Sequence, residues 1–192
     1  MMLPKDIAHF FVEKPKNHTI FGFPEDFDAL PQEHQDQIFF LNSEASKLLH
    51  NYVKFCRLLT GPPRKPFDKS NFREIVEIAL PEEEEDTKKW LYQRKIPFKN
   101  WVFILPNFSQ HPVYLTWKMV VKYGYELFFA DDLVIFDQSG NWCLVYFHED
   151  CLYFGRHITF NSEIGYQQME ELYKIREQFP KFSHPLLPKK DT

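Results

Sequence analysis

Read for hydrophobic spacing, the chain changes character near Pro97. Before it, apolar residues recur at three- and four-residue intervals, the spacing of helices with one buried face. Leu3–Glu13 predicts a short helix with Ile7, Phe10 and Phe11 on one side, and 14–31 reads as loop broken by Pro15, Gly22, Pro24 and Pro31. Pro31–Leu41 predicts a second helix through Ile38 and Leu41. Asn42 or Ser43 caps a stronger one over 44–60, with an apolar stripe of Leu48, Leu49, Tyr52, Val53, Cys56 and Leu59 that Gly61-Pro62-Pro63 ends. Ser70–Ala79 fits a further helix that buries Phe72, Ile75, Val76 and Ala79. In Glu82–Arg94 the acidic first turn suits the positive end of a helix dipole, and Glu84–Lys88 and Glu85–Lys89 stand four residues apart in the favourable order.

Beyond Pro97 the apolar residues come in short runs. Trp101–Leu105 predicts a strand. Residues 113–123 fit two patterns: alternation from Val113 to Tyr123, or a helix stopped at Gly124. The helix is favoured, because Pro112 suits a first turn and Gly124 a position just past a helix end. Leu127–Phe129, Leu133–Phe136, Trp142–Phe147 and Cys151–Phe154 are β-rich runs separated by short polar turns, an antiparallel meander. Strands apolar on both faces need cover on both faces. Asn161 or Ser162 caps a last helix over 163–179. The expectation is thus an α+β fold: a helical N-terminal half packed on a C-terminal antiparallel β-meander of four or five strands, closed by a C-terminal helix. Residues 1–180 form one domain, and 181–192 a flexible tail.

Composition changes this picture in two places. Phe is abundant (21 of 192 residues) and Gly scarce (6), which favours aromatic packing and disfavours a glycine-rich phosphate loop. The net charge of −4 supplies no general attraction to nucleic acid or anionic membrane. Three cysteines without CxxC spacing read as reduced thiols of a cytosolic protein. No run approaches the ~18 apolar residues of a membrane-spanning helix.

Catalytic motifs are absent: no HExxH, GxSxG, GxGxxG or Walker pattern occurs. His148, Glu149, Asp150 and Cys151, with Cys143 and His157 nearby, carry metal-binding groups. On a strand, however, neighbours point to opposite faces, so the run reads as a polar hairpin tip. Asp131-Asp132, with Asp137 beyond, is a paired-carboxylate motif without a nearby lysine. The basic run Lys54, Arg57, Arg64, Lys65, Lys69 and Arg73, interleaved with phenylalanines, reads as solvated charge between helices. The strongest charge signal is an absence: residues 123–155 hold Glu126, Asp131, Asp132, Asp137, Glu149 and Asp150 and no lysine or arginine, and Glu82–Asp86 are five consecutive acids. Acids on an aromatic-rich sheet suit a basic protein partner.

The stretch Glu126-Leu-Phe-Phe-Ala-Asp-Asp-Leu-Val-Ile-Phe-Asp-Gln-Ser-Gly-Asn-Trp-Cys-Leu-Val-Tyr146 resembles the sheet region of small bacterial immunity proteins, the cytosolic partners of polymorphic and contact-dependent toxins. The likeness, over about 100–157, is one of arrangement: an acidic, aromatic meander after a helical half, without a catalytic motif. It implies a non-catalytic binding protein that occludes a basic toxin domain, with no cofactor, nucleic acid or membrane involved. Asp131, Asp132, Asp137, Glu149, Asp150, Glu82, Glu83, Glu84 and Trp142 are the expected contact residues. Two other readings are a small metal-dependent enzyme built on Asp131/Asp132 and His148/Glu149, and a subunit of a larger complex.

Overall fold

The two-faced apolar runs are the middle of an eight-stranded antiparallel sheet. The computed structural model describes residues 7–16, 18, 20–22, 24–107, 111–128, 131–159, 162–180, 184, 187 and 188, with side chains of the last helix from Met169 onward. The strands are β1 (Phe11–Val12), β2 (Ile38–Leu41), β3 (Phe72–Ala79), β4 (Trp101–Pro106), β5 (Val113–Thr116), β6 (Leu133–Asp137), β7 (Trp142–Phe147) and β8 (Cys151–Ile158), in the order β1-β2-β5-β4-β6-β7-β8-β3. The helices are α1 (Pro24–Asp28), α2 (Gln32–Gln35), α3 (Ser43–Phe55), α4 (Glu84–Tyr92), α5 (Trp117–Lys122), α6 (Gly124–Leu127) and α7 (Ser162–Gln178).

Alternation along each central strand sends side chains into two separate cores. Phe103, Leu105, Phe136, Cys143 and Val145 face α3 and α7, where Leu49, Tyr52, Leu172 and Phe179 meet them. Val102, Ile104, Ile135, Leu144 and Leu152 face the other way, against Trp90, Leu91, Trp117, Met119 and Leu127 of α4, α5 and α6. The result is three layers with the sheet in the middle, and β7 is buried along its whole length. The abundant rings do the packing. Tyr52 stacks on Phe136 with centroids 5.5 Å apart, and Trp117 meets Trp142 edge-on at 5.6 Å.

The expected helical N-terminal half is corrected: three of the eight strands, β1, β2 and β3, lie in it. Leu41 and Ile38 belong to β2, and the predicted helix at Ser70–Ala79 is the edge strand β3, paired with β8 from Phe72↔Ile158 to Ala79↔Cys151. In that segment the 3/4 spacing of Phe72, Ile75, Val76 and Ala79 competes with a period-two pattern in which Val76 and Ile78 are half-buried between exposed neighbours. The β-branched content and the long partner decide for the strand. Residues 113–123 divide between both readings: Val113–Thr116 is β5, and the helix begins only at Trp117. Leu127 ends a helix instead of opening a strand, and Phe129 lies outside the described residues.

Other elements match their local signals. The Asn42 side chain accepts a hydrogen bond from the Ala45 N–H (2.9 Å) and caps α3. The acidic first turn of α4 and the β6–β7–β8 meander stand where the pattern put them. Within the expected tail, His184 and Leu187 are buried. No helix among the described residues is long and apolar enough to cross a membrane.

Candidate functional site

Antiparallel pairing brings the beginning of β6, the end of β7, the beginning of β8 and the end of β3 to the same end of the sheet. Four of the expected contact residues meet there. Asp132 sits just before β6, and its Oδ1 accepts from the His148 N–H (2.9 Å) and lies 2.8 Å from His148 Nδ1, which ties it to the β7–β8 turn. Asp131 accepts the Asp132 N–H (2.8 Å). Glu149, at the tip of that turn, pairs with Arg64 at 2.6 Å. Asp150 adopts a left-handed conformation (φ 54°), its carboxylate accepts from the Tyr146 hydroxyl (3.2 Å), and its carbonyl accepts from Leu80 N–H (2.6 Å).

Leu80 leads directly into the second acidic segment. Glu82, Glu83 and Glu84 are exposed at the start of α4, where Glu84 is paired by Lys88. Lys88 also reaches Glu85 (3.3 Å), and Lys89 pairs with Asp86 (2.8 Å) instead of the expected Glu85. A third contribution comes from α6. Burial, with Glu84 and Asp26 nearby, raises the Glu126 carboxyl above the usual range. Beside it Tyr125 is exposed.

Asp137 and Trp142 stand apart from this group. They occupy the opposite end of the sheet, at the β6–β7 turn, and both are buried. Asp137 Oδ2 accepts the Trp142 indole N–H (2.8 Å), and its Oδ1 accepts from the Ser139 backbone N–H (2.9 Å) and hydroxyl. Gly140 completes this turn at φ 61°, and a Cβ there would come 2.6 Å from the Tyr52 hydroxyl. This carboxylate is a turn staple, and both it and Trp142 are buried.

A cleft of about 140 Å³ opens beside the acidic end, between α3, the 59–66 loop and strands β4, β6 and β7. Val53, Leu105 and Val145 line it, and His50, Asn107 and Asp132 supply its polar groups. His50 directs Nδ1 to the Ser46 carbonyl (2.8 Å), an ordinary back-bond within α3. Asp132 and His148 form a carboxylate–imidazole pair, but Asp132 also holds the backbone of the turn, and Glu149 is engaged by Arg64. No three histidine, cysteine, aspartate or glutamate side chains are arranged to hold a metal ion among the described residues. Cys56 and Cys143 are buried, and burial pushes both thiols far above the usual range.

Two features of this region were not read from the sequence. In sequence Arg64 belongs to a solvated basic run, and only the fold carries it to Glu149, 85 residues away. Tyr92 and Phe98 form an exposed ring pair (centroids 5.8 Å apart) lining a second, open cleft of about 330 Å³ with Lys95 and Ile96. The aromatic excess hinted at surface rings without locating them. Comparison with protein-family models, with curated proteins and with solved structures finds no match to this chain.

Proposed function

We propose that this protein is a non-catalytic binding protein of the immunity type, which recognises a basic protein partner, a toxin domain, through the acidic end of its sheet. The observation that carries this reading is convergence. Glu82–Glu84, Asp131–Asp132 and Glu149–Asp150 come from three separated segments, yet the His148 N–H donated to the Asp132 carboxylate and the Leu80 N–H donated to the Asp150 carbonyl link them into one region. Arg64, Lys88 and Lys89 offset only part of the charge. A surface of this kind steers a cationic partner and rejects an anionic one. Tyr125 and Tyr92, exposed on α6 and α4, supply the aromatic anchors such interfaces favour.

Co-expression with the product of the adjacent gene tests the proposal. The expected result is a 1:1 complex on size-exclusion chromatography that weakens with salt. The triple variant Glu82→Lys/Glu83→Lys/Glu149→Lys is expected to slow association roughly tenfold or more. Failure to form a complex, or a complex indifferent to these reversals, would count against it.

A further inference from the structure

We propose that Arg94 and Arg156 form a binding site for a dianionic phosphate group, either the free ion or a small-molecule monoester. The site lies on the α4 face of the sheet, away from the acidic end, and does not depend on a partner there.

Strand register places it. β8 pairs with β7 from Trp142↔Arg156 to Phe147↔Cys151, so Arg156 stands at the opposite end of β8 from Glu149 and Asp150. Side chains two apart on a strand share a face, which sets Arg156 beside Phe154 on the side that α4 covers. Its guanidinium centre is 5.2 Å from the centre of the Phe154 ring. Arg94 arrives from the end of α4. Its Nε donates to the Trp90 carbonyl (3.1 Å), a common contact where a helix ends. That anchor holds the guanidinium 4.4 Å from the Trp90 ring centre and 5.3 Å from that of Phe154. Two cations, one from a helix end and one from a strand, thus share one buried ring.

Ring stacking accounts for either arginine alone and not for the pair. One guanidinium over an aromatic face is favourable, but a second at the same ring meets the charge of the first. Both side chains are half-buried. Burial, and then the charge of Arg156, hold the Arg94 guanidinium below the usual arginine range. A carboxylate normally compensates arginines removed from water. Neither of these has an ion-pair partner among the described residues. Glu74, the cross-strand neighbour of Arg156 on β3, is exposed and stands 3.6 Å from His157 Nε2 instead. The Nη groups of Arg94 and the whole fork of Arg156 therefore have no acceptor among the described residues.

Two uncompensated charges with unused donor forks are complementary to a dianion. A phosphate monoester brings close to two negative charges at neutral pH and three oxygens that accept paired N–H donors. A carboxylate brings one charge and leaves the second arginine uncompensated. Arginine also suits the position better than lysine, because its planar fork stacks on a ring and binds oxygens at its edge at once.

Calorimetric titration of the full chain with inorganic phosphate and with phenyl phosphate, at low ionic strength, tests this. Tryptophan fluorescence supplies a second readout, since Trp90 lies beneath Arg94. Saturable 1:1 binding is expected, with Kd on the order of a millimolar or tighter. Acetate should bind at least about tenfold more weakly. Arg94→Gln and Arg156→Gln should each weaken phosphate binding by about tenfold or more, with circular dichroism verifying the fold. Arg94→Lys keeps the charge and the cover over Trp90 but lacks the fork, so it tests the site even where glutamine unsettles the rings. It should weaken binding by about threefold or more. Tighter binding of phenyl phosphate marks an ester as the ligand and equal binding marks the free ion, and either result supports the site. No saturable binding at tens of millimolar phosphate overturns the proposal, as does binding indifferent to both arginines or acetate bound as tightly as phosphate.

Discussion

The two turns of the meander contain similar residues and do opposite things. At β6–β7, Asp137 is buried and its oxygens hold Ser139 and the Trp142 indole. At β7–β8, one strand length away, His148 and Glu149 are exposed, and the Glu149 carboxylate pairs with Arg64, which is itself exposed. An aspartate with a serine two residues on and a tryptophan five residues on is a staple. An acid at the tip of a turn facing water is a surface charge. What separates them is whether the turn lies beneath neighbouring chain: His184 and Tyr52 pack over Gly140.

Substitutions should widen this contrast. The largest effect is expected at Trp142, which packs against Trp117 and Phe154. Trp142→Ala should cost about 3–5 kcal/mol in urea denaturation. Acid should also act at the buried turn. Burial holds His184 neutral, down to about 4, whereas an unfolded imidazole protonates near 6.5. Between those values the unfolded chain binds more protons, so stability falls as pH drops through that window, by about 2–3 kcal/mol at its lower end. His18, buried against Phe27 and Phe40, is likewise lowered by burial and adds in the same direction. Thermal melts from neutrality to about pH 4 measure this sum.

Asp137→Ala should cost about 1–3 kcal/mol, because it strands a buried indole N–H. Glu149→Ala, by contrast, should change stability by less than about 1 kcal/mol, since its ion pair is solvent-exposed. Equal losses at the two positions would erase the distinction between the turns. The smallest perturbation is chemical. Each turn adjoins a cysteine, Cys143 after Trp142 and Cys151 after Asp150, of which the first is buried and the second half-exposed. Thiol labelling of the native protein should modify Cys151 while leaving Cys143 and Cys56 intact until unfolding.

Much of the architecture was legible where local signals and tertiary context agree. The Asn42 cap, the acidic entry to α4 and the meander strands with their polar turns were all readable, and so was the need for cover on both sheet faces. What was not legible depended on a distant partner. Phe72–Ala79 satisfies helix and strand spacing at once, and only β8 resolves it. The short strands β1 and β2 carry too few residues to show a period. Among the expected contact residues the acids at 82–84, 131–132 and 149–150 were readable as charge, and the meeting of 131–132 with 149–150 follows from strand pairing alone. Asp137 and Trp142, which the sequence reads as contact residues, are buried, and composition does not distinguish a carboxylate in water from one receiving an indole N–H.

The sheet order also sets a schedule for synthesis. β3 is made early, yet its only neighbour among the described strands is β8, so Ala79 must wait for Cys151 to leave the ribosome. At roughly 5–20 residues per second that interval is several seconds. Throughout it, Phe72, Val76 and Ile78 have no β8 beside them. A nascent chain stalled before Cys151 would present β3 with both edges unpaired.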